Sequence, residues 1–470
     1  MKDERTTAEL EQLVERHKRY YRETLRHQPV SGRIAKLKQM RRWIMRHRAA
    51  LIETLHADFN KPAVETELSE SKVVLAEIDH ALRHIRHWAA ERRVPTPVLL
   101  LGGRSRIRVE PKGVVLIIAP WNFPFNLAVG PLVSAVAAGN SVVVKPSEYT
   151  PRTAALIESL ARDIFNPDEV SVIQGGPETA AALTRLPFDH IFFTGSPQVG
   201  KKVMAAAAEH LTPVTLELGG QNPVIVAADA DVRQTAKRLL YAKVLNAGQS
   251  CVSANYVLAH HSVKAPLMEA LKQEQARLAA AGGERAGVIN DAHARRLRDW
   301  LVEARTHGAR VMPDDQLFLD SVTRQGGPVI LEDVAPESKV MQNEIFGPLL
   351  PVISYNTLDE ALRHIERRPY PLALYIFSRN RSVIRRIIRE TVSGAVGVNE
   401  TTVHFFNNDL PFGGAGYSGM GSAHGYYGFR AFSRERAVFK MPARFSIVDL
   451  IRPPYDGFSN RIKELIMRFL

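Results

Sequence analysis

The stretch Gly113-Val-Val-Leu-Ile-Ile-Ala-Pro120 places six consecutive apolar residues between a glycine and a proline. An apolar run of this length, bounded by turn residues, is typical of a strand that is buried on both faces. Helical periodicity and further apolar runs then alternate as far as about His210. Strands that are separated by helices predict a parallel sheet covered on both faces, and right-handed crossovers make such a sheet doubly wound.

The elements of this first α/β unit follow one another through short linkers. In chain order we expect a helix at 127–138, a strand at 141–145, a helix at 151–165, a strand at 170–173, a helix at 178–186, a strand at 190–194 and a helix at 197–210. A second alternation, from Val224 to about Asn399, predicts a second α/β domain. Ligands of such sheets bind beyond the carboxyl ends of the strands, where we expect the functional site.

The two ends of the chain have other patterns. Residues 6–92 show helical spacing of apolar residues, whereas Arg106–Glu110 and Arg436–Met441 alternate with a period of two and predict strands. After a turn at 452–457, a short helix presents an apolar side. We expect that side to dock on the protein itself or on a partner subunit rather than on a membrane.

Composition excludes several functional classes. The chain has 470 residues, 45% of them hydrophobic, a net charge of +13 and one cysteine. A single cysteine excludes an internal disulfide and a cysteine-rich zinc site, and we expect no metal. The basic residues lie on amphipathic helices without a nucleic-acid motif, so we expect no nucleic-acid partner. The polar start and the absence of a long apolar run predict a cytoplasmic protein without a stable membrane anchor.

The only cysteine lies in the stretch Asn246-Ala-Gly-Gln-Ser-Cys251-Val252, followed by an apolar, strand-like run to Leu258. A thiol at the mouth of a glycine-containing loop is approachable and can act as a nucleophile. A free cysteine is also often a small buried hydrophobe, so the stretch alone leaves both interpretations open.

Two predicted strand ends carry residues that suit a nucleotide. Lys145 and Glu148 could hold the hydroxyls of a ribose, or could form an ordinary surface ion pair. Ser196 is a good N-cap before Pro197, and the N-terminus of that helix favours phosphate, although an ordinary capped helix is equally compatible. In contrast, Gly414-Ala-Gly-Tyr-Ser-Gly419 matches a dinucleotide pattern without its strand and helix, so we interpret it as a flexible loop.

Two carboxylates also lie among residues that suit a site. Glu217 lies between two leucines at a strand end, where apolar neighbours raise a carboxyl pKa toward that of a working base. Glu344 lies in a rigid turn before Gly347 and Pro348.

Seven strings then combine into one resemblance. They are Pro120-Trp-Asn-Phe-Pro-Phe125, Lys145-Pro-Ser-Glu148, Thr194-Gly-Ser196, Leu216-Glu-Leu-Gly-Gly220, Gly248-Gln-Ser-Cys251, Glu344-Ile-Phe-Gly-Pro348 and Pro411-Phe-Gly-Gly414. In this order they resemble the aldehyde dehydrogenase superfamily over about residues 115–421, including the offset from Glu217 to Cys251 (251 − 217 = 34). The phrase IFGPLLPV and the tail are similar to the class 3 branch, and the loop from Asn407 is most similar to coniferyl-aldehyde-type members.

The resemblance implies oxidation of an aldehyde to a carboxylic acid with NAD or NADP. Cys251 would be the nucleophile, Asn122 an oxyanion donor and Glu217 the base that activates water. Cofactor contacts would come from Trp121, Lys145, Glu148, Gly195, Ser196, Gly200, Leu218, Glu344 and Phe346. Phe123 and Phe412 would line the substrate site.

The resemblance also implies three parts and a homodimer. They are an NAD(P)-binding domain at 1–105 and 113–218, a catalytic domain at 219–399 and a small β oligomerisation arm at 106–112 and 427–445, followed by a tail at 446–470. The aldehyde stays open between aromatic substrates, such as coniferyl aldehyde, and long-chain aliphatic ones. Two alternatives also stay open: a semialdehyde dehydrogenase that acylates coenzyme A, and a non-catalytic binding protein that keeps the fold.

Overall fold

The computed structural model describes residues 5–97, 100, 102–313, 319–444, 446, 449, 453 and 457–468. The helices are α1 Thr7–Glu23, α2 Val30–Arg46, α3 Arg48–Phe59, α4 Ala63–Thr66, α5 Lys72–Trp88, α6 Asn126–Ala138, α7 Pro151–Ile164, α8 Pro177–Thr184, α9 Pro197–Ala208, α10 Val232–Val244, α11 His261–Ala281, α12 Asp291–Thr306, α13 Lys339–Gln342, α14 Leu358–Glu366, α15 Arg381–Glu390, α16 Gly425–Ala431 and α17 Gly457–Arg468. A π-helical turn at Glu67–Ser71 joins α4 to α5.

The strands belong to three sheets. They are β1 Arg92–Val94, β2 Arg104–Pro111, β3 Val114–Ile118, β4 Ser141–Lys145, β5 Val170–Val172, β6 His190–Gly195, β7 Val214–Leu218, β8 Pro223–Val226, β9 Tyr256–His260, β10 Arg310–Met312, β11 Val329–Glu332, β12 Leu349–Tyr355, β13 Ala373–Phe377, β14 Ala395–Val398, β15 Gly419–Met420 and β16 Ser433–Lys440. The α/β class with parallel sheets is confirmed.

The first sheet has the order β15-β7-β6-β3-β4-β5, and its five longer strands are parallel. All five residues of β3 are buried because helices cover both faces of the sheet. The helices α2, α5, α6 and α7 form the core on one face, and α1, α8 and α9 contribute to the core on the other. This arrangement brings the ends of β3, β4, β6 and β7 to one edge.

The second sheet has the order β10-β11-β12-β9-β8-β13-β14. Its strands are parallel except for β10, which pairs antiparallel with β11. The sequence analysis did not predict β10, because three residues with two half-buried side chains carry little periodicity.

The third sheet joins β1, β2 and β16 in antiparallel pairs. The predicted strands at 106–110 and 436–441 are parts of β2 and β16, and Arg108 lies opposite Arg436. Strand β1 was not predicted. The three sheets fall within the expected sequence ranges, whereas the division into domains and the role of this sheet in a dimer stay predictions.

Two local expectations were wrong. The strand-like run after Cys251 becomes a strand only at Tyr256, because the carbonyls of Cys251 and Ser253 accept hydrogen bonds from Asn222 Nδ2 instead of joining a sheet. The loop at 414–419 is not simply flexible. Gly419 lies opposite Glu217 in the β15–β7 pair, so backbone hydrogen bonding holds this loop beside the site.

The C-terminal helix is present as α17, whereas the side chains of Leu465, Ile466 and Phe469, which the predicted apolar side needs, lie outside the described residues. None of the described helices combines the length and the apolarity that a bilayer crossing requires.

Candidate active site

The ends of three parallel strands meet the loop that carries the cysteine. A cavity of about 470 Å³ lies there. Eight of the residues expected in the site line this cavity: Trp121, Asn122, Gly195, Ser196, Glu217, Cys251, Glu344 and Phe346. The strings are therefore brought together in space although they are spread over more than 200 residues of sequence (346 − 121 = 225).

Cys251 is partly exposed at the base of the cavity. Its loop is held in an unusual conformation, since Asn246 and Ala247 have positive φ angles of 52° and 53°. Gly248 has a φ of 69°, and a side chain there would collide with the carbonyl of Gly347. Such backbone persists only where the surroundings fix it, which indicates a loop that places the sulfur.

The thiol is surrounded by protein and by negative charge. Burial, together with the smaller effect of the carboxylates of Glu344 and Glu217, raises the pKa of Cys251 to about 12. The free chain therefore keeps the sulfur protonated at neutral pH, so the thiol must lose its proton when it reacts.

Asn122 is buried beside the cysteine loop. Its Nδ2 donates to the carbonyl of Gln249 at 3.1 Å, while Asn246 Nδ2 donates to the carbonyl of Asn122 at 2.8 Å. An amide nitrogen has two hydrogens, so this bond leaves Asn122 one N–H for an oxygen in the cavity. The sequence analysis missed the supporting residues Asn246 and Gln249.

Glu217 is the next-to-last residue of β7, and its carboxyl group is buried. Among the described residues, neither of its oxygens has a hydrogen-bond partner. Burial alone raises its pKa well above 4.5. A buried carboxyl group without a partner is costly to keep, so its raised pKa marks Glu217 as a candidate for the functional site.

The cofactor side offers a helix N-terminus. Ser196 accepts a hydrogen bond from Val199 N and caps α9, and Pro197 is the first residue of that helix. The free N–H groups of this end favour an anion such as a pyrophosphate. This N-terminus lies in the cavity wall, as expected.

Glu344 lies across the same cavity. Burial raises its pKa to about 7, and its Oε1 has no hydrogen-bond partner within the described part of the chain. A side chain at Gly219 would overlap this carboxyl group and push it out of its present position. This carboxyl group, the capped helix and a cavity of about 470 Å³ together fit NAD or NADP.

Four expected cofactor residues do not line this cavity. Lys145 Nζ donates to Glu148 Oε2 at 2.8 Å at the end of β4, outside the cavity wall. Gly200 lets α9 approach β7, since a Cβ there would come within 2.8 Å of Leu218 Cδ2, and Leu218 lines the neighbouring, smaller cavity. Direct contacts of Lys145, Glu148, Gly200 and Leu218 with a cofactor stay predictions.

Several residues in the wall were missed. They are Gln198, His293, Arg296, Trp300 and Tyr417. The rings of His293 and Phe346 lie 5.4 and 5.3 Å from Trp121, which fixes the wall around that indole. His293, Arg296 and Trp300 are single positions on α12 that carry no motif, so no local sequence signal could have identified these three residues.

The other side of Cys251 is aromatic. Two small cavities of about 40 and 30 Å³ reach the sulfur. Phe412 lines the first and Phe123 the second, as expected for substrate residues, and Phe405 lines both. The described residues contain no group of three or more His, Cys, Asp or Glu side chains that could hold a metal ion.

Known proteins resemble this chain over almost its whole length. The aldehyde dehydrogenase family model matches residues 3–438. A 4,4'-diaponeurosporen-aldehyde dehydrogenase of Staphylococcus aureus is 39% identical, over 92% of this chain and 94% of that protein. A probable coniferyl aldehyde dehydrogenase of Pseudomonas aeruginosa is 41% identical, over 90% and 89%. Aldehyde dehydrogenase family 3 member A2 of Mus musculus is 38% identical, over 93% and 89%.

Solved structures agree. The substrate-bound state of Staphylococcus aureus AldH has a TM-score of 0.92 and 37% identity, and the match covers 97% of this chain and 99% of that one. A Mycobacterium tuberculosis aldehyde dehydrogenase complexed with NAD⁺ has a TM-score of 0.86 and 26% identity, with coverage of 94% and 92%. The chain therefore belongs to the aldehyde dehydrogenase family and is an oxidoreductase that oxidises aldehydes with NAD or NADP.

Proposed function

We propose that the chain converts an apolar aldehyde to its carboxylic acid through a thioester on Cys251. One observation carries the proposal: Cys251 and the unpartnered carboxyl group of Glu217 line both the large cofactor cavity and the aromatic cavity. Sulfur and base thus face the place where an aldehyde from one side meets a cofactor from the other.

The first step is addition. The Cys251 thiol gives its proton to water as the sulfur forms a bond to the aldehyde carbon, and the product is the anion of a thiohemiacetal. Asn122 Nδ2 and the backbone N–H of Cys251 donate to the oxygen that gains charge. One such donor typically lowers the activation barrier by about 2.7–4 kcal/mol.

The second step is oxidation. Bound nicotinamide supplies the acceptor for the hydride that leaves the former aldehyde carbon. Trp121, Phe346 and Glu344 border the cavity in which it would be held. Loss of the hydride and of the oxygen's negative charge leaves a thioester on the sulfur.

The third step is hydrolysis. Glu217 accepts a proton from water as the water oxygen bonds to the thioester carbon, and the C–S bond then breaks to release the acid and the thiol. Burial raises the pKa of Glu217 above its usual value, which makes its carboxylate a stronger base than an exposed one.

For the substrate we propose an aromatic or a long-chain aliphatic aldehyde. Phe123, Phe405 and Phe412 give the substrate side an apolar wall. The relatives named for coniferyl aldehyde and for 4,4'-diaponeurosporen-aldehyde support both classes. A cytoplasmic homodimer that pairs through the β2–β16 sheet stays a prediction.

The test uses the purified chain with an aldehyde and NAD⁺ or NADP⁺. We expect reduced cofactor and free acid in equal amounts without coenzyme A. Strict dependence on coenzyme A would instead support the acylating alternative. In that reaction coenzyme A releases the acyl group, so Glu217 is not needed to activate water.

A further inference from the structure

The substrate side contains a second buried carboxyl group that the proposed mechanism does not use. Glu77, on α5, is 5% exposed and lines the same aromatic cavity as Cys251 and Glu217. Its Oε1 accepts hydrogen bonds from Gly425 N at 2.8 Å and from Ser134 Oγ at 3.3 Å. Within the described part of the chain, its Oε2 has no hydrogen-bond partner.

Burial keeps this carboxyl group near its titration point. It raises the pKa of Glu77 to about 7. A buried acceptor without a partner is costly, so an isolated Glu77 would weaken the fold. The two hydrogen bonds to Oε1 hold the group in one orientation, in which Oε2 is buried and has no partner among the described residues.

A histidine beside this cavity is also incompletely bonded. His424 lines the cavity, and among the described residues its buried Nδ1 has no partner. Burial lowers the pKa of His424 to about 4, so the ring is neutral at pH 7 and can donate or accept one hydrogen bond. Glu77 and His424 thus supply polar atoms to walls that are mainly apolar.

The cavity has length and aromatic walls. It follows α6 from Asn126 and Leu127, which also line the small cavity at Cys251, to Ser134 beside Glu77. Eight residues of helix correspond to a rise of about 12 Å. Phe412 stacks on His424 at 5.0 Å, and Phe405 meets Phe412 edge-on at 4.9 Å. Phe192 and Phe432 complete the wall.

We propose that Glu77 is a specificity residue that binds a hydroxyl group at the far end of a flat aromatic aldehyde whose carbonyl lies at Cys251. This inference rests on the proposed function and narrows its substrate to hydroxylated aryl aldehydes. Aromatic walls favour a planar ring, and the ring carries the hydroxyl away from the sulfur toward Oε2. A straight-chain aldehyde leaves Oε2 without a partner.

The experiment compares matched substrates at pH 7. We would measure kcat/KM for 4-hydroxycinnamaldehyde, cinnamaldehyde and nonanal with the intact chain and with Glu77→Gln. We expect the intact chain to favour the hydroxylated substrate over cinnamaldehyde by about ten- to hundredfold, the usual effect of a hydrogen bond to a charged group. Glu77→Gln should remove most of that ratio by lowering kcat/KM for the hydroxylated substrate.

The same helix offers a control. Asp79 is a half-exposed carboxylate on α5 that pairs with Arg41 at 2.7 Å, so Asp79→Asn makes the same chemical change outside the cavity. We expect Asp79→Asn to keep the ratio of the intact chain.

Three results would overturn the inference: an intact chain without the preference, a Glu77→Gln chain that keeps it, or equal losses on both cinnamaldehydes, which indicate a structural role. The first comparison needs no variant, so a failure of Glu77→Gln to fold does not protect the inference. If the intact chain oxidises none of the three aldehydes, the proposed function itself fails.

Discussion

The cavity on the cofactor side of Cys251 measures about 470 Å³, whereas the one that reaches Glu77 on the aromatic side measures about 40 Å³. The larger is bordered by a helix N-terminus, glycines and the carboxyl group of Glu344. The smaller is bordered mostly by apolar surface, to which four phenylalanines contribute: Phe192, Phe405, Phe412 and Phe432. A dinucleotide cofactor needs a large cavity with free backbone N–H groups, whereas an apolar aldehyde needs an apolar wall. The cavities on the two sides of Cys251 therefore differ in size and in polarity.

The largest effect should come from the residue that the two sides share. Cys251→Ala removes the nucleophile, and we expect turnover to fall by about 10⁴-fold or more, as for nucleophiles of related covalent mechanisms. Cofactor binding, measured by fluorescence titration, should persist because the cofactor wall is intact. Substantial remaining turnover would contradict the role of Cys251 as the nucleophile at which the aldehyde and the cofactor meet.

A change at Asn122 tests how the oxyanion is stabilised. Asn122→Ala removes one donor, and we expect kcat to fall about 10²–10³-fold. Asn246→Ala should have a smaller effect on kcat, because Asn246 holds the carbonyl of Asn122 rather than the reacting oxygen. If Asn122→Ala raised the KM for the aldehyde and left kcat unchanged, Asn122 would be assigned to substrate binding instead.

The pH dependence tests the base. Burial raises the pKa of Glu217 well above 4.5, so the carboxylate form is lost as the pH falls through that raised value. We expect kcat to fall about tenfold per pH unit on the acid side, at a pH clearly above 4.5. Because the pKa of Glu344 is also raised, to about 7, the profile of Glu344→Gln is the control and should keep the acid limb.

The smallest effect should be confined to the cofactor side. Gly219→Ala places a Cβ on the carboxyl group of Glu344, and overpacking of this kind typically costs about 1–3 kcal/mol. We expect a higher KM for the cofactor and a nearly unchanged KM for the aldehyde. Gly457→Ala is the control, since a Cβ there meets nothing within 4 Å.

Local chemistry made much of this arrangement predictable. Apolar runs such as 114–119 gave the parallel sheet, and the Ser196-Pro197 pair gave the start of α9, because both depend on neighbours in sequence. The unpredicted parts depend on distant segments. The amide network of Asn122 and Asn246 joins residues that lie 124 positions apart, and the cavity at Glu77 needs α5, α6 and α16 to pack together.

The raised pKa of Cys251 also depends on residues that are distant in sequence. The glycine-containing loop indicated an approachable thiol, and the structure agrees on its exposure. The two carboxylates that raise its pKa come from residues 217 and 344, so their combined effect was not readable from the loop.

The central claim is a thioester on the only cysteine, hydrolysed with Glu217 as the base. The most direct measurement is mass spectrometry of Glu217→Gln after mixing with NAD⁺ and an aldehyde. We predict about one reduced cofactor per site, slow further turnover, and a hydroxylamine-labile acyl group on the peptide that contains Cys251. Normal turnover without an acyl group on that peptide would contradict the account.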